Sequence, residues 1–312
     1  MARQVLRDAM KGGARSRVTY VERVNLAIDY VISHLAEPLR LADVARVTGL
    51  SPFHVHRVFQ ALVGETLASF VKRLRLERAL VAMAFEPRAS LTAIAMKYGF
   101  SSSSDFSRSF KQRYGEAPSK FDLNAWRAAH ATELEASIGI VAEGAHVDRL
   151  PTSPNPDGFT VSIRRIPART VAYTRVLNPY RGDAVFRAVH RLIAWAERNS
   201  LAEGQWLGYQ WENPEITALE DCQYHIAVVA DRFTVGGEIG RFSFPPLTVA
   251  QVEVHGGVEL ELRALQWLDG SWLPTSGWVP DDHPGFEAFI GKPFAHGTEF
   301  FELHAQIPIR RA

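Results

Sequence analysis

The stretch Ala95-Met-Lys-Tyr-Gly-Phe-Ser-Ser-Ser-Ser-Asp-Phe-Ser-Arg-Ser-Phe-Lys-Gln-Arg-Tyr-Gly-Glu-Ala-Pro118 decides the fold of the first half of the chain. Ala95 is a small residue on a short helix that Ser90 can cap, and Gly99, four residues on, is free to take the positive φ of a tight turn. Phe100-Ser101-Ser102 completes the turn, and a second helix starts at Ser103, carrying Phe106, Arg108, Phe110 and Lys111. A small residue where two helices cross, a turning glycine and then a second helix are the spacing of a helix-turn-helix.

The same pattern stands fifty residues earlier. Leu41 to Val47 reads as a short helix with Ala45 at the crossing, Thr48-Gly49-Leu50 as a turn, and Ser51-Pro52 as an N-cap followed by proline at the first helical position. The turn of the later copy is one residue longer, since Phe106 stands eleven residues after Ala95 and Val55 ten after Ala45. Between the copies, Leu67, Phe70, Val71, Leu74, Leu80 and Met83 keep a helical period that Pro87 stops. The roughly 18 residues of this helix span about 27 Å, close to the ~34 Å between successive major grooves on one face of DNA. Val21, Val24, Ile28, Val31, Ile32 and Leu35 mark a further helix ahead of both copies, closed by Pro38. The first half is expected to be all-α, with two reading heads on a rigid spacer.

The stretch from Ala95 to Pro118, together with Gly49-Leu-Ser-Pro-Phe-His-Val-His-Arg-Val-Phe59, resembles the signature of AraC/XylS-family transcription regulators over residues 20–125. The resemblance implies a seven-helix domain, placed at residues 18–127, that lays two recognition helices in adjacent major grooves of double-stranded promoter DNA, with RNA polymerase as a further partner. Carried over position by position, Phe53, His56 and Arg57 of the first head and Ser103, Ser104 and Arg108 of the second face DNA, with Lys111 on the phosphates. Arginine reads guanine O6 and N7 bidentately, which suits Arg57; Arg108 serves either DNA or a neighbouring carboxylate. The second head is serine-rich where many relatives carry larger polar side chains, so it is expected mainly to position phosphates. His54 and His56, two apart on a helix, do not face each other and make no metal pair.

Charge divides the chain the same way. Residues 1–135 hold 20 Lys+Arg against 13 Asp+Glu, giving +7, and residues 136–312 hold 15 against 21, giving −6. A basic half joined to an acidic one fits a polyanion binder fused to something that stays off the polyanion. Six of the seven tryptophans (Trp195, Trp206, Trp211, Trp267, Trp272, Trp278) lie in the acidic half, where such rings crowd a core or a ligand site. Residues 137–158 end in Leu150-Pro-Thr-Ser-Pro-Asn-Pro-Asp-Gly158, which cannot continue a helix or a central strand, so a linker is expected there. A single cysteine, Cys222, excludes an internal disulfide and a thiolate-rich zinc finger. No apolar run approaches the ~20 residues of a membrane span, and the segment with Arg3, Arg7, Lys11, Arg15 and Arg17 lacks the apolar stretch of a secretory signal. A cytoplasmic protein without a membrane partner is expected.

The acidic half reads as strands with two helices. Strands are predicted at Phe159–Ile166, Thr170–Leu177, Gln205–Trp211, Gln223–Ala230, Leu247–Val254 and Glu299–Ile307. Helices are predicted over residues 182–198, from Val185, Val189, Leu192, Ile193 and Ala196, and near Glu259–Leu268. The order strand, helix, strand, strand occurs twice. The fold class is thus multidomain, an all-α double helix-turn-helix domain followed at residues 159–311 by an α+β domain of duplicated β-α-β-β units.

Gly208-Tyr209 opening a strand, Pro284-Gly-Phe-Glu-Ala-Phe289 and Leu303-His-Ala-Gln-Ile-Pro-Ile309 are similar to the GyrI-like effector-binding domain. That family implies a cleft between the repeats that takes small molecules, often apolar cations, on aromatic faces with a glutamate inside. Glu287, between Phe286 and Phe289, is the candidate acid, because a carboxylate among aromatic rings either pairs with a cation or binds its proton more tightly; capping or facing solvent is the bland reading. Glu302 is the next carboxylate in line. Phe289 stands where tyrosine commonly follows the glutamate by two, which removes a hydroxyl. Tyr209, Trp211 and Trp278 are equally suited to wall the cleft by cation-π contact or to fill core. Cys222 and His225 have a metal-like spacing but lack further ligands, and neither metal nor cofactor is expected. The function read from both halves is a regulator sensing a small molecule. The alternative is a GyrI-like hydrolase of reactive compounds with Glu287 and Tyr209 as acid/base groups, although no nucleophile elbow or phosphate loop accompanies them.

Overall fold

The computed structural model describes residues 14–127, 129, 136, 155–297 and 299–311. The chain divides into two compact units, one taking Met1–Leu123 with Thr234–Gly240 and the other Asn124–Phe233 with Arg241–Ala312. Of the expected linker, residues 137–154 lie outside the described residues. Asp157 near its end is tied to the second unit by Arg263, which donates to both carboxylate oxygens at 2.8 and 3.0 Å.

In the first unit α1 (Ala14–Ser33) precedes α2 (Leu41–Thr48) and α3 (Pro52–Val63), the long α4 (Leu67–Phe85), then α5 (Leu91–Lys97) and α6 (Ser103–Tyr114). Each reading helix starts on a serine: Ser51 Oγ accepts from the His54 amide at 3.3 Å, and Ser102 Oγ from the Asp105 amide at 3.1 Å. The two turns are built on Gly49 and Gly99, with φ of 63° and 78°, where a side chain would be strained. Ala45 and Ala95 are buried at the crossings, and Val55, Phe59, Phe70, Leu74, Phe106 and Phe110 fill the core. Arginines from other helices hold both turns. Arg23 donates to the Thr48 carbonyl. Arg75 donates to the carbonyls of Gly99, Leu35 and Glu37 at 2.7, 2.8 and 2.6 Å. Arg73, 3% exposed, is charge-paired with Glu65 at 2.7 Å and Glu77 at 3.2 Å.

The second unit is one sheet with two helices. It contains β1 (Ser162–Ile166), β2 (Arg169–Leu177), α7 (Ala184–Arg198), β3 (Trp206–Gln210), β4 (Gln223–Val229), β5 (Ile239–Phe244) from Arg241 onward, β6 (Leu247–Gly256), α8 (Val258–Trp267), β7 (Trp278–Pro280), β8 (Phe286–Phe289) and β9 (Phe301–Arg311). The strand order β1-β6-β9-β8-β3-β4-β2-β5 reads as two mirrored halves, with β2-α7-β3-β4 matching β6-α8-β8-β9. The edge strands are exchanged: β1 leads into β2 yet pairs with β6, and β5 leads into β6 yet lies beside β2. Two strands were absent from the expected inventory, β5 and the short β7, and β8 had been met only as a motif. The repeats join along β3 and β8, where Leu207, Gly208 and Tyr209 face Ala288, Glu287 and Phe286. Helix α7 packs on β2 and β4, and α8 on β6 and β9, so the helices leave the seam between them. No helix among the described residues is long and apolar enough to cross a membrane.

Candidate functional site

Strand alternation decides what meets at the seam, because successive side chains point to opposite faces of the sheet. Gly208 lies opposite Glu287, and Gln210 opposite Tyr224, which puts these four on the face that carries the helices. The Tyr224 hydroxyl donates to Glu287 Oε2 at 2.6 Å. Gly208 provides the room, since a Cβ there would overlap that hydroxyl and that oxygen and would stand 2.8 Å from Tyr224 Cζ. Tyr180, from the connection between β2 and α7, exchanges hydrogen bonds with the Gln210 amide at 3.2 and 3.3 Å. From the other side α8 turns Glu261 inward, 8% exposed, on the same stripe as buried Ala264.

This is an acidic, poorly hydrated place. Burial pushes the Glu287 carboxyl up to about 7, against the opposing pull of the Tyr224 hydrogen bond. Burial, and then the charge of Glu287, push Glu261 well above the usual carboxylate range. The same two causes, in the same order, raise the Tyr224 hydroxyl well above its ordinary value, and burial followed by the nearby Cys222 raises Tyr180. Neither Glu261 nor Glu287 has a lysine, arginine or histidine partner among the described residues.

The expected pocket residues do not assemble around Glu287 as a group. Phe289, two residues along β8, is buried on the same face. Tyr209 is turned the other way: it stacks on His225 at 4.7 Å and touches Phe244 and Phe286 beneath the sheet. Trp211 packs with Phe242 and Phe244 on that same underside. Trp278 is on β7, opposite Arg311, whose guanidinium lies 4.0 Å over its ring. Glu302 binds His296 at 2.9 Å, and its strand position alternates with Leu303 and Ala305 away from the seam's helix side. Strand parity and strand order are the reason: the sheet sends Tyr209, Trp211, Trp278 and Glu302 to other surfaces. Sequence reasoning missed Tyr224, Tyr180, Gln210 and Glu261. A signal existed for the last, because Glu261, Ala264 and Leu268 follow the i, i+3, i+7 spacing of an inward helical stripe.

In the first unit the DNA candidates lie on the outer side of each reading helix. Phe53 is 67% exposed with the Arg57 guanidinium 5.3 Å over its ring, and His56 is exposed, while Val55, Val58 and Phe59 are buried. On α6, Ser104, Arg108 and Lys111 are exposed and Ser103 half-buried, while Phe106, Ser109 and Phe110 face the core. A helix with a buried apolar side and a free basic side can enter a major groove.

A model of a helix-turn-helix domain matches residues 44–124, and a model of a GyrI-like small molecule binding domain matches residues 159–310. The protein named "Probable transcription factor PqrA" from Proteus vulgaris is 35% identical over 88 residues, which are 28% of this chain and 71% of that protein. The chain belongs to the AraC/XylS family and carries a GyrI-like domain. Another relative, "Uncharacterized HTH-type transcriptional regulator YbfP" of Bacillus subtilis, is 34% identical over 131 residues. The match takes in 41% of this chain and 44% of YbfP, so the chain spans less than half the length of that relative. Among solved structures, the EcmrR C-terminal domain is 15% identical, with a TM-score of 0.40, covering 50% of this chain and 99% of that one.

Proposed function

We propose that this AraC/XylS-family chain is a cytoplasmic transcription regulator that binds promoter DNA through α3 and α6, addresses RNA polymerase there, and senses an apolar organic cation at Glu287. The observation that carries the sensing half is Glu287 itself, a half-buried carboxylate that Tyr224 orients and that no basic side chain among the described residues neutralises. An unpaired charge in such a place is costly, and a bound cation relieves that cost. For DNA, the basic first half, the half-buried Arg57 lying over the exposed Phe53 ring, and the exposed Arg108 and Lys111 support the reading. The hydrolase alternative needs Tyr209 beside Glu287, and the two face opposite sides of the sheet.

The test is calorimetric titration of the full chain with 4-methylbenzylamine and with its neutral isostere, 4-methylbenzyl alcohol. The amine is expected to bind more tightly, and Glu287→Gln to remove most of the difference. Equal binding of both compounds by wild type would overturn the cation reading. Chromatographic recovery of unchanged compound after long incubation with an epoxide or other small electrophile separates sensing from hydrolysis.

A further inference from the structure

Glu261 is a second acid that the fold has no use for. It occupies the inward stripe of α8, a position where a leucine would add apolar burial and cost nothing in desolvation. Its side chain makes no hydrogen bond or ion pair among the described residues, although the residue is more than nine-tenths buried. The groups around it are Glu287 from β8 and Tyr224 from β4, with Tyr180 from the β2–α7 connection beyond them, all acids or phenols. Glu287 has Tyr224 to orient it, and Glu261 has nothing. The charge of Glu287 acts on Glu261, the one acid set on the seam of the sheet and the other on the inward stripe of a helix.

We propose that Glu261 is a second ligand-contacting acid and that the site takes an organic dication, with one ammonium or amidinium group on Glu287 and the other on Glu261. The proposal rests on the reading of Glu287 as a cation site and adds the charge number of the ligand. In the empty site the acids are kept close to neutral by protons, since burying two adjacent carboxylates unpaired is prohibitive. A ligand with two positive groups displaces those protons and leaves the protein as the ionised pair. Each proton passes to solvent and each carboxylate gains one ammonium partner, so charge balances in the cavity. A monocation meets Glu287, the acid that Tyr224 orients, and leaves the proton on Glu261.

The experiment is calorimetry of the full chain with 1,4-bis(aminomethyl)benzene and with 4-methylbenzylamine, which share a ring and differ in the second amine. Each titration is run in two buffers of different ionisation enthalpy, so that proton release is counted. The diamine is expected to bind wild type at least about tenfold more tightly and to release more protons. Glu261→Gln should abolish both differences, and Glu261→Met should do the same while showing by its melting temperature that the fold survives. Glu287→Gln should weaken both amines. A diamine preference that persists in Glu261→Gln and Glu261→Met overturns the proposal. Equal binding of the two amines by wild type, both lost in Glu287→Gln, also overturns it and leaves the cation site standing. Failure of wild type to bind either amine overturns the cation site and the second acid together.

Discussion

Gly208 and Glu287 stand opposite each other in neighbouring strands of different repeats, and the volume that a side chain at 208 would occupy is filled by the Glu287 carboxylate and the Tyr224 hydroxyl that it accepts from. The acid is therefore placed by an absence of side chain on its partner strand. A glycine inside a strand weakens it, and such a glycine marks a place where another group approaches closely.

Gly208→Ala should accordingly destabilise the second unit by about 1–3 kcal/mol, the usual cost of overpacking, and weaken amine binding. Tyr224→Phe removes the nearer obstacle, so Gly208→Ala should cost less in a Tyr224→Phe background than in wild type. Thermal denaturation of the two single variants and the double variant measures the coupling. Strictly additive effects would show that the alanine is accommodated elsewhere.

Stability of the second unit should fall as the pH rises toward neutrality. Glu287 holds its proton up to about 7 in the fold and to about 4.3 in the unfolded chain. The folded state thus binds more protons than the unfolded one between these values. Its advantage is complete below the unfolded value and is lost as pH climbs through the folded one, up to about 4 kcal/mol in all. Glu261, raised by burial and by Glu287, acts in the same direction. Near-ultraviolet melting follows this unit, since six of seven tryptophans lie in residues 136–312. From about pH 5 to pH 8 wild type should lose melting temperature, and Glu287→Gln should lose less. Parallel curves for the two proteins would remove Glu287 from the titration.

What could be read in advance was what local chemistry encodes. Ser51-Pro52, Ser102 and the two turning glycines are signals contained within a few residues, and the helices begin where those signals stand. The expected strands at Thr170–Leu177, Gln223–Ala230 and Leu247–Val254 likewise match β2, β4 and β6 to within a residue or two, as apolar runs between turn residues. Glu287 was legible as an acid among aromatics. Its surroundings were not, because Gly208 and Glu287 come together through a pairing of β3 with β8 across most of the second unit. Alternation tells which residues of one strand share a face and says nothing about which strand lies alongside. Tyr209 drew notice for its ring, yet its own neighbour Gly208 is the residue on the face of the acid. β5 escaped notice although Phe242 and Phe244 alternate with exposed Arg241 and Ser243, since a six-residue strand at a sheet edge has little pattern to show.

In the first unit Arg75 should prove worth more than its half-exposed position suggests. It links the end of α1 to the second turn through three carbonyls, those of Leu35, Glu37 and Gly99. Carbonyls at helix ends have no partner within the helix, and a planar guanidinium can serve several at fixed angles, which an ammonium cannot. Arg75→Ala should cost about 2–3 kcal/mol, and Arg75→Lys should recover little of it. Denaturant titration of the helical signal reads the loss. Full rescue by lysine would mean that charge, and not the fork of donors, holds the turn.

The two arginines and the lysine of the reading helices should separate by what they do to DNA. Arg57 lies against the exposed Phe53 ring, which limits its freedom and aims a bidentate donor outward. A residue that reads a base edge carries sequence information, so Arg57→Ala should cost about 1–3 kcal/mol on a selected site and relax preference at one base pair. Lys111, exposed in the last turn of α6, can supply only a phosphate contact. Lys111→Ala should weaken every duplex alike and lower the salt slope by about one. Arg108, exposed beside Ser104, falls between these cases, and its salt slope decides whether it touches a phosphate or a base. The measurement is fluorescence anisotropy on a duplex recovered by selection from random sequence and on a scrambled duplex, across a salt series. Wild type is expected to favour the selected duplex at ~150 mM salt, where nonspecific binding is weakened by counterion competition. Equal affinity for the two duplexes there would show that α3 and α6 do not read sequence.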